Sequence, residues 1–316
     1  MKWIVAHGDM DGICSAAIAM AALGEGRLFF SHPTGLAEDL AHMNGDVVVL
    51  DIAISRRYGS IIDALRRIGR VIYIDHHPLP TDFDAGSFPG EFIHSTEASV
   101  SELTYCRFAE MLPHDMSRVA IYGAIGDYLD WTVNIRQLLG RWDKRTLYLE
   151  SGLLVQAIES GGRNYDYKRS IVKLLQGNVT PSSDASLVRR AISEAILEEE
   201  MRKRIKENVR VIGNVAYVLD IGWALGKSAI YARAEASALI GIGAETRKGF
   251  IDMSVRTESG FDLNVNLAVL GERLGGSGGG HPKAAGARVP VERFEEFIRE
   301  LDSTVNAFLR GNAVDY

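Results

Sequence analysis

Trp3-Ile4-Val5-Ala6-His7-Gly8-Asp9-Met10-Asp11-Gly12 decides the fold. Its first four residues are apolar, two of them β-branched, and read as a buried strand. The strand runs straight into a histidine and two aspartates at every second position, then into an Ala-rich stretch, Cys14 to Leu23, that reads as a helix. Strand, polar turn and helix open an α/β unit, and open α/β sheets bind ligands at the carboxyl ends of their parallel strands. An N-cap role would account for Asp11 taken alone. It leaves a histidine and a second carboxylate packed against a buried strand.

The same event repeats downstream. Val47-Val48-Val49-Leu50 reads as a buried strand ending in Asp51, and Val71-Ile72-Tyr73-Ile74 as one ending in Asp75-His76-His77-Pro78. Arg27-Leu28-Phe29-Phe30 is a weaker strand, and Tyr58 to Ile68 an amphipathic helix with Ile61, Ile62, Leu65 and Ile68 on one side. β-branched runs alternating with helices predict a parallel sheet covered on both faces. His7, Asp9, Asp11, Asp51, Asp75, His76 and His77 would then share one rim of it. Unneutralised, these carboxylates would raise each other's pKa values; two divalent cations would supply the missing charge. Oxygen and imidazole donors together suit Mn2+, with Mg2+, Co2+ or Zn2+ as substitutes. Asp127, alone in the small-residue helix Tyr122-Gly123-Ala124-Ile125-Gly126-Asp127-Tyr128, is a further candidate, because a lone buried carboxylate is costly unless paired or metal-bound. Two cations roughly 3.5–4 Å apart can bridge a water, lower its pKa and clamp a phosphoryl oxygen. The expected nucleophile is therefore a metal-bridged hydroxide, with one histidine touching the phosphate or protonating the leaving oxygen.

Composition bounds the rest. The 316 residues suggest two domains. With 47% hydrophobic and 24% charged residues the chain is globular rather than disordered. Its net charge of −6 argues against a surface built to coat a long duplex, but not against short nucleotides held in one pocket. Two cysteines, Cys14 and Cys106, make no disulfide scaffold. The longest apolar run, Ile13 to Leu23, is too short to span a bilayer, and no signal-peptide pattern opens the chain. The expectation is a cytoplasmic protein with no membrane association.

From Glu97 to about Ser170 the pattern is mostly helical, and turn residues cluster over Gly177 to Asp184. Ala185 to Val209 reads as one long solvated helix between two domains. A second α/β unit follows, with strands at Val215 to Ile221 and Gly249 to Val255 and a closing helix from Phe294 to Leu309. It holds Gly275-Gly276-Ser277-Gly278-Gly279-Gly280-His281, with Lys283 and Arg288 after it. Read as a glycine-rich turn, that run lets backbone N–H groups approach an anion. Arg256 is a second anion contact or a surface arginine at a strand end.

The motifs in order resemble the DHH phosphoesterase superfamily: His7-x-Asp9-x-Asp11, then Asp51, then Asp75-His76-His77, then Asp127. Gly278-Gly279-Gly280-His281 resembles the signature of the DHH-associated C-terminal domain. The resemblance implies an α/β fold: a parallel-sheet DHH domain over 1–180, a linker helix over 181–210, and a smaller α/β DHH-associated domain over 211–316, with the active-site cleft between the domains. It implies that His7 and Asp9 hold a first Mn2+, that Asp11, His76 and Asp127 hold a second, and that Asp51 bridges both. Asp75 would orient His76, and His77 would face the scissile phosphate. Gly278, Gly279, Gly280 and His281, with Arg256 assisting, would bind the substrate's terminal phosphate or nucleotide. The implied activity is Mn2+-dependent hydrolysis of short single-stranded RNA or DNA, or of linear or cyclic dinucleotides, to mononucleotides, by a stand-alone catalytic core. Alternatives are a RecJ-like single-strand exonuclease working with replication or repair partners, a 3′-phosphoadenosine 5′-phosphate phosphatase, and a non-catalytic scaffold. The family also suggests a homodimer.

Other residues read as structure: His32, His42, His94 and His114 as surface or hydrogen-bonded histidines, Cys14 as a small buried residue, and Ser95-Thr96-Glu97 as the N-cap of a helix starting near Ala98. Tyr105, Tyr128 and Trp131 could stack a base, but core packing is the expected role.

Overall fold

The computed structural model describes residues 2–24, 26–54 and 58–312; the remaining positions of the expected domains, including 313–316, lie outside the described residues. The chain forms two compact units that divide after Ala195.

The first unit starts β1 (Lys2–Ala6), α1 (Met10–Leu23), β2 (Arg27–Phe30), α2 (Leu36–Ala41), β3 (Asp46–Leu50), α3 (Gly59–Leu65), β4 (Val71–Asp75) and β5 (Glu91–His94). These strands form one fully parallel sheet in the order β2-β1-β3-β4-β5. Helices α4 (Val100–Phe108), α5 (Ser117–Gly126), α6 (Val133–Leu139), α7 (Lys144–Ser160) and α8 (Tyr165–Gln176) follow. The apolar runs are continuous because the sheet is buried on both faces. Ile4, Ala6, Val48, Leu50, Ile72 and Ile74 join the core under α1, α5 and α7. Val5, Val47, Val49, Val71 and Tyr73, their alternate neighbours, join the one under α2 and α3. Each of these Val, Leu and Ile side chains stabilises the fold by roughly 1.5–3 kcal/mol when fully buried.

Helix α9 (Ala185–Asn208) carries the chain from one unit to the next. The second unit contains β6 (Arg210–Ile212), β7 (Val215–Leu219), α10 (Leu225–Glu235), β8 (Ile240–Arg247), β9 (Phe250–Thr257), α11 (Leu263–Arg273), β10 (Ser277–Gly280), β11 (Ala284–Pro290) and α12 (Phe294–Asn312). Its six-stranded sheet runs β10-β11-β9-β8-β7-β6. It is mixed: β7 and β8 pair in parallel and the other neighbours are antiparallel.

The α/β class and the parallel sheet are as the sequence predicts, but several elements are not. Helix α1 begins at Met10 rather than Cys14, because its first turn is the polar motif itself. Strand β8 escapes notice because Gly241 and Gly243 dilute its apolar pattern. Only Gly275 and Gly276 of the glycine run form a turn; Ser277–Gly280 is edge strand β10, paired with β11. Gly278 is there for packing, since a Cβ would stand 2.2 Å from the Leu267 carbonyl oxygen of α11.

Candidate active site

Ala6 pairs with Leu50, and Leu50 with Ile74, in the parallel ladder. The ladder runs on one residue further: the His7 N–H donates to Leu50 O (3.1 Å) and the Asp51 N–H to Ile74 O (3.0 Å). His7, Asp51 and Asp75 therefore leave the sheet side by side. Asp51 turns off its strand at φ 60°, a left-handed conformation that costs a non-glycine residue roughly 1–2 kcal/mol. Such strain persists where the surroundings over-determine it.

The N-cap of α1 is Asp9, not Asp11: its Oδ1 accepts the Gly12 N–H at 3.1 Å. Helix α1 starts so close to the rim that a Cβ on Gly12 would lie 2.4 Å from His7 O. Asp11 is fully buried and serves another helix. Its Oδ2 accepts the Val100 N–H at 2.6 Å and its Oδ1 the Ser101 N–H at 2.9 Å, both in the first turn of α4, where the helix end favours a negative charge. Helix α4 is capped by Ser99, which accepts the Glu102 N–H, so Ser95-Thr96-Glu97 lies ahead of the cap.

Asp127 is not inside its helix but at the C-cap of α5. The Leu129 N–H donates to Ala124 O (2.8 Å) and the Tyr128 N–H to Ile125 O (3.2 Å), a Schellman motif. Tyr128 takes the left-handed position, φ 58°, where glycine is usual.

Within the first unit these elements bring together three sets of donor atoms. His7, Asp9 and Asp51 form one, Asp11, His76 and Asp127 a second, and Asp51, Asp75 and His77 a third, each within 4.8 Å. Asp51 sits between them: its Oδ2 is 3.9 Å from His7 Nδ1 and its Oδ1 3.4 Å from His76 Nε2, which in turn is 3.4 Å from Asp127 Oδ2. His7 Nδ1 lies 2.8 Å from Asp9 Oδ2. Asp11, Asp51, Asp75 and His76 are buried, whereas His7, Asp9, His77 and Asp127 are part-exposed, so the cluster opens to solvent on one side.

Asp75 holds the other histidine than expected. Its Oδ1 is 2.8 Å from His77 Nδ1, while the backbone oxygen of His77 meets His94 Nε2 at 2.7 Å. Strand alternation explains this, because residues two apart point to the same face.

The charges are out of balance. Burial, then the charges of Asp9, Asp11 and Asp127, push the Asp51 carboxyl well above the usual range. Burial and the charges of Asp11 and Asp9 do the same to Asp127. At Asp9 burial is outweighed by the charge and hydrogen bond of His7, and its carboxyl is held down; the charge of Asp9 raises His7 in turn. The second oxygens of Asp51 and Asp75 are buried without a hydrogen-bond partner. Orphaned carboxylate oxygens beside imidazole nitrogens are the donor set that hard or borderline divalent cations take, so these residues fit such a cation.

Lys168 was not foreseen. It sits on α8, buried, and donates from Nζ to the carbonyl of Gly8 between His7 and Asp9. No local signal marks it, since the two residues are 160 positions apart.

In the second unit, Ala284 of β11 pairs with Arg256 of β9, and its carbonyl accepts the His281 N–H at 2.9 Å. Arg256 and His281 thus lie at one end of that sheet. The glycine N–H groups are partly engaged: the Gly280 N–H donates to Asn264 Oδ1 (3.0 Å), and Gly278 and Gly279 sit in the ladder with β11. Of the three aromatics, Tyr105 is core as expected, but Tyr128 is 73% and Trp131 52% exposed, so core packing is ruled out for these two.

The family model for the DHH family, N-terminal domain, matches residues 3–124, and that for the DHHA1 domain matches residues 213–307. No curated protein matches the sequence. Among solved structures the chain is similar to a pGpG-specific phosphodiesterase, PggH, from Vibrio cholerae, with 15% identity, TM-score 0.63, and 97% of this chain and 99% of that one covered. It is similar to RecJ from Thermus thermophilus in complex with Mn2+, with 18% identity and TM-score 0.70, over 97% of this chain and 52% of RecJ. An exopolyphosphatase-related protein from Bacteroides fragilis aligns at 16% identity and TM-score 0.52, over 96% and 93%. At these identities the likeness is one of fold.

Proposed function

We infer the reaction from one premise: this chain belongs to the DHH superfamily, with a DHH N-terminal domain followed by a DHHA1 domain. The reading is a divalent-cation-dependent phosphodiesterase that hydrolyses short oligonucleotides, or linear or cyclic dinucleotides, to mononucleotides. The observation that carries it is Asp51, a buried carboxylate between two donor sets with one orphaned oxygen. His7, Asp9 and Asp51 would hold one cation, and Asp11, Asp51, His76 and Asp127 the other. Asp11 already accepts two N–H groups, but a carboxylate has about four lone-pair sites and keeps capacity for a cation. Mn2+ or Mg2+ is the expected ion, as in the two solved RecJ complexes. Such ions lower the pKa of water and polarise a phosphoryl oxygen.

The remaining roles fall to the chain's own groups. His77, held at Nδ1 by Asp75, would contact the phosphate or protonate the leaving oxygen. Lys168 fixes the Gly8 carbonyl and so the turn that carries His7 and Asp9. His281 and Arg256, with Gly278 to Gly280, would take the substrate's terminal phosphate or nucleotide. No helix among the described residues is long and apolar enough to cross a membrane.

A chain-length series tests this. Purified protein with Mn2+ receives 5′-labelled RNA and DNA of two to twenty-four nucleotides, cyclic dinucleotides and 3′-phosphoadenosine 5′-phosphate. Fast cleavage confined to two to five nucleotides is expected. Efficient degradation of the longest strands would favour a RecJ-like exonuclease instead, the reading that the RecJ likeness supports. Bound cation with no cleavage would favour a scaffold.

A further inference from the structure

We propose that Tyr128, with Trp131 three residues on, is the platform on which a nucleobase of the substrate stacks, so that the site prefers phosphodiesters carrying bases to those without. This rests on the phosphodiesterase reading above and adds to it the feature by which the substrate is recognised.

Both rings are open to solvent, at 73% and 52%. Among the described residues neither side chain makes a hydrogen bond, an ion pair or a ring contact. The other exposed aromatics of this unit are engaged: Tyr148 by Lys144 and Asp130, Tyr165 by Phe30 and Lys168. Tyr128 also stands where its backbone is worst served by a tyrosine, at the left-handed position of the Schellman motif. Among the described residues no hydrogen bond, ion pair or ring contact of the side chain offsets that strain. Its place does have a chemical use. Tyr128 directly follows Asp127, with Cα atoms about 3.8 Å apart, and the two capping hydrogen bonds fix the frame that carries both. The same frame carries the carboxylate that lies 3.4 Å from His76 Nε2. Every nucleobase presents a π-face, so a tyrosine ring can receive any of them without hydrogen-bond readout.

The test compares a dinucleotide with its abasic analogue, the same sugar–phosphate linkage without bases, in wild type, Tyr128→Gly and Tyr128→Phe. Glycine suits the left-handed position, so Tyr128→Gly should fold and melt about 2–4 °C higher than wild type. Its preference in kcat/KM for the dinucleotide over the abasic analogue should shrink by roughly five- to a hundred-fold, the worth of one base–aromatic stack. Tyr128→Phe should keep the preference. A residue with a merely structural role would lose stability and leave the preference alone. Undiminished preference in Tyr128→Gly overturns the platform, and so does a wild type that cleaves both compounds equally well. A wild type that cleaves neither overturns the reaction, and the platform with it.

Discussion

The Asp75 carboxylate meets His77, not His76: Oδ1 and Nδ1 are 2.8 Å apart, with Asp75 fully buried and His77 part-exposed. A buried carboxylate behind a solvent-facing imidazole fixes its tautomer and ring orientation. Asp75→Asn should therefore lower kcat by about 10- to 100-fold. Its bound cation, measured by elemental analysis, should stay at the wild-type level. Loss of the cation would move Asp75 from orienting His77 to ligating.

Asp51→Ala should abolish turnover and cation binding together, since Asp51 stands between the two proposed cation positions, 3.9 Å from His7 Nδ1 and 3.4 Å from His76 Nε2. Asp51→Asn makes the sharper contrast. It removes a buried carboxyl whose ionisation burial and three neighbouring carboxylates oppose, so with chelator present it should melt higher than wild type. With Mn2+ the order should invert. A variant that melts lower under both conditions contradicts the site as drawn.

The same imbalance sets a pH dependence. Folding raises the Asp51 and Asp127 carboxyls, so the cation-free native state binds these protons more tightly than the unfolded chain. The contribution of these groups to stability is then greatest below the ordinary carboxylate pKa of about 4 and is lost as pH rises through the raised values. Cations compete with those protons. The rise in melting temperature on adding Mn2+ should be larger at pH 8 than at pH 5, measured by thermal unfolding at fixed ionic strength. Equal gains would mean the two carboxyls are not linked to cation binding.

Lys168→Met should strand the Gly8 carbonyl without its donor. The acceptor is part-buried, so losing its donor costs at most about 1–3 kcal/mol, or roughly 2–12 °C in a domain of this size. Lys168→Arg should recover part of it. An unchanged melting temperature in Lys168→Met would show that water replaces the ammonium at no cost.

His281→Ala should raise KM for a dinucleotide with cation content intact, because the residues proposed to hold the cations all belong to the first unit and His281 to the second. Cation lost in that variant would break the proposed division of labour between the domains.

Much of this was legible in the sequence because it is local. A β-branched run followed by Asp or His puts that residue at a strand end by counting alone, and three such runs give the parallel sheet and its rim. The glycine run misled for the same reason. Ser277 to Gly280 has the composition of a turn, and only pairing with Ala285 to Arg288 and packing on Leu267 make it a strand. Asp9 and Asp11 divided their roles in a way spacing could not foresee, since the partners of Asp11 lie 89 and 90 positions away.

The sequence by itself determined the α/β class, the order of the motifs and the residues that could serve as cation ligands, because short-range apolar periodicity and residue chemistry specify these. Tertiary structure alone decided which histidine Asp75 holds, that the first turn of α4 receives Asp11, that Lys168 grips the turn between His7 and Asp9, and that Tyr128 and Trp131 face solvent rather than core. Each depends on which segments meet after the chain closes on itself. Hydrogen bonds and burial fall off within a few ångströms, so no separation along the chain reveals them.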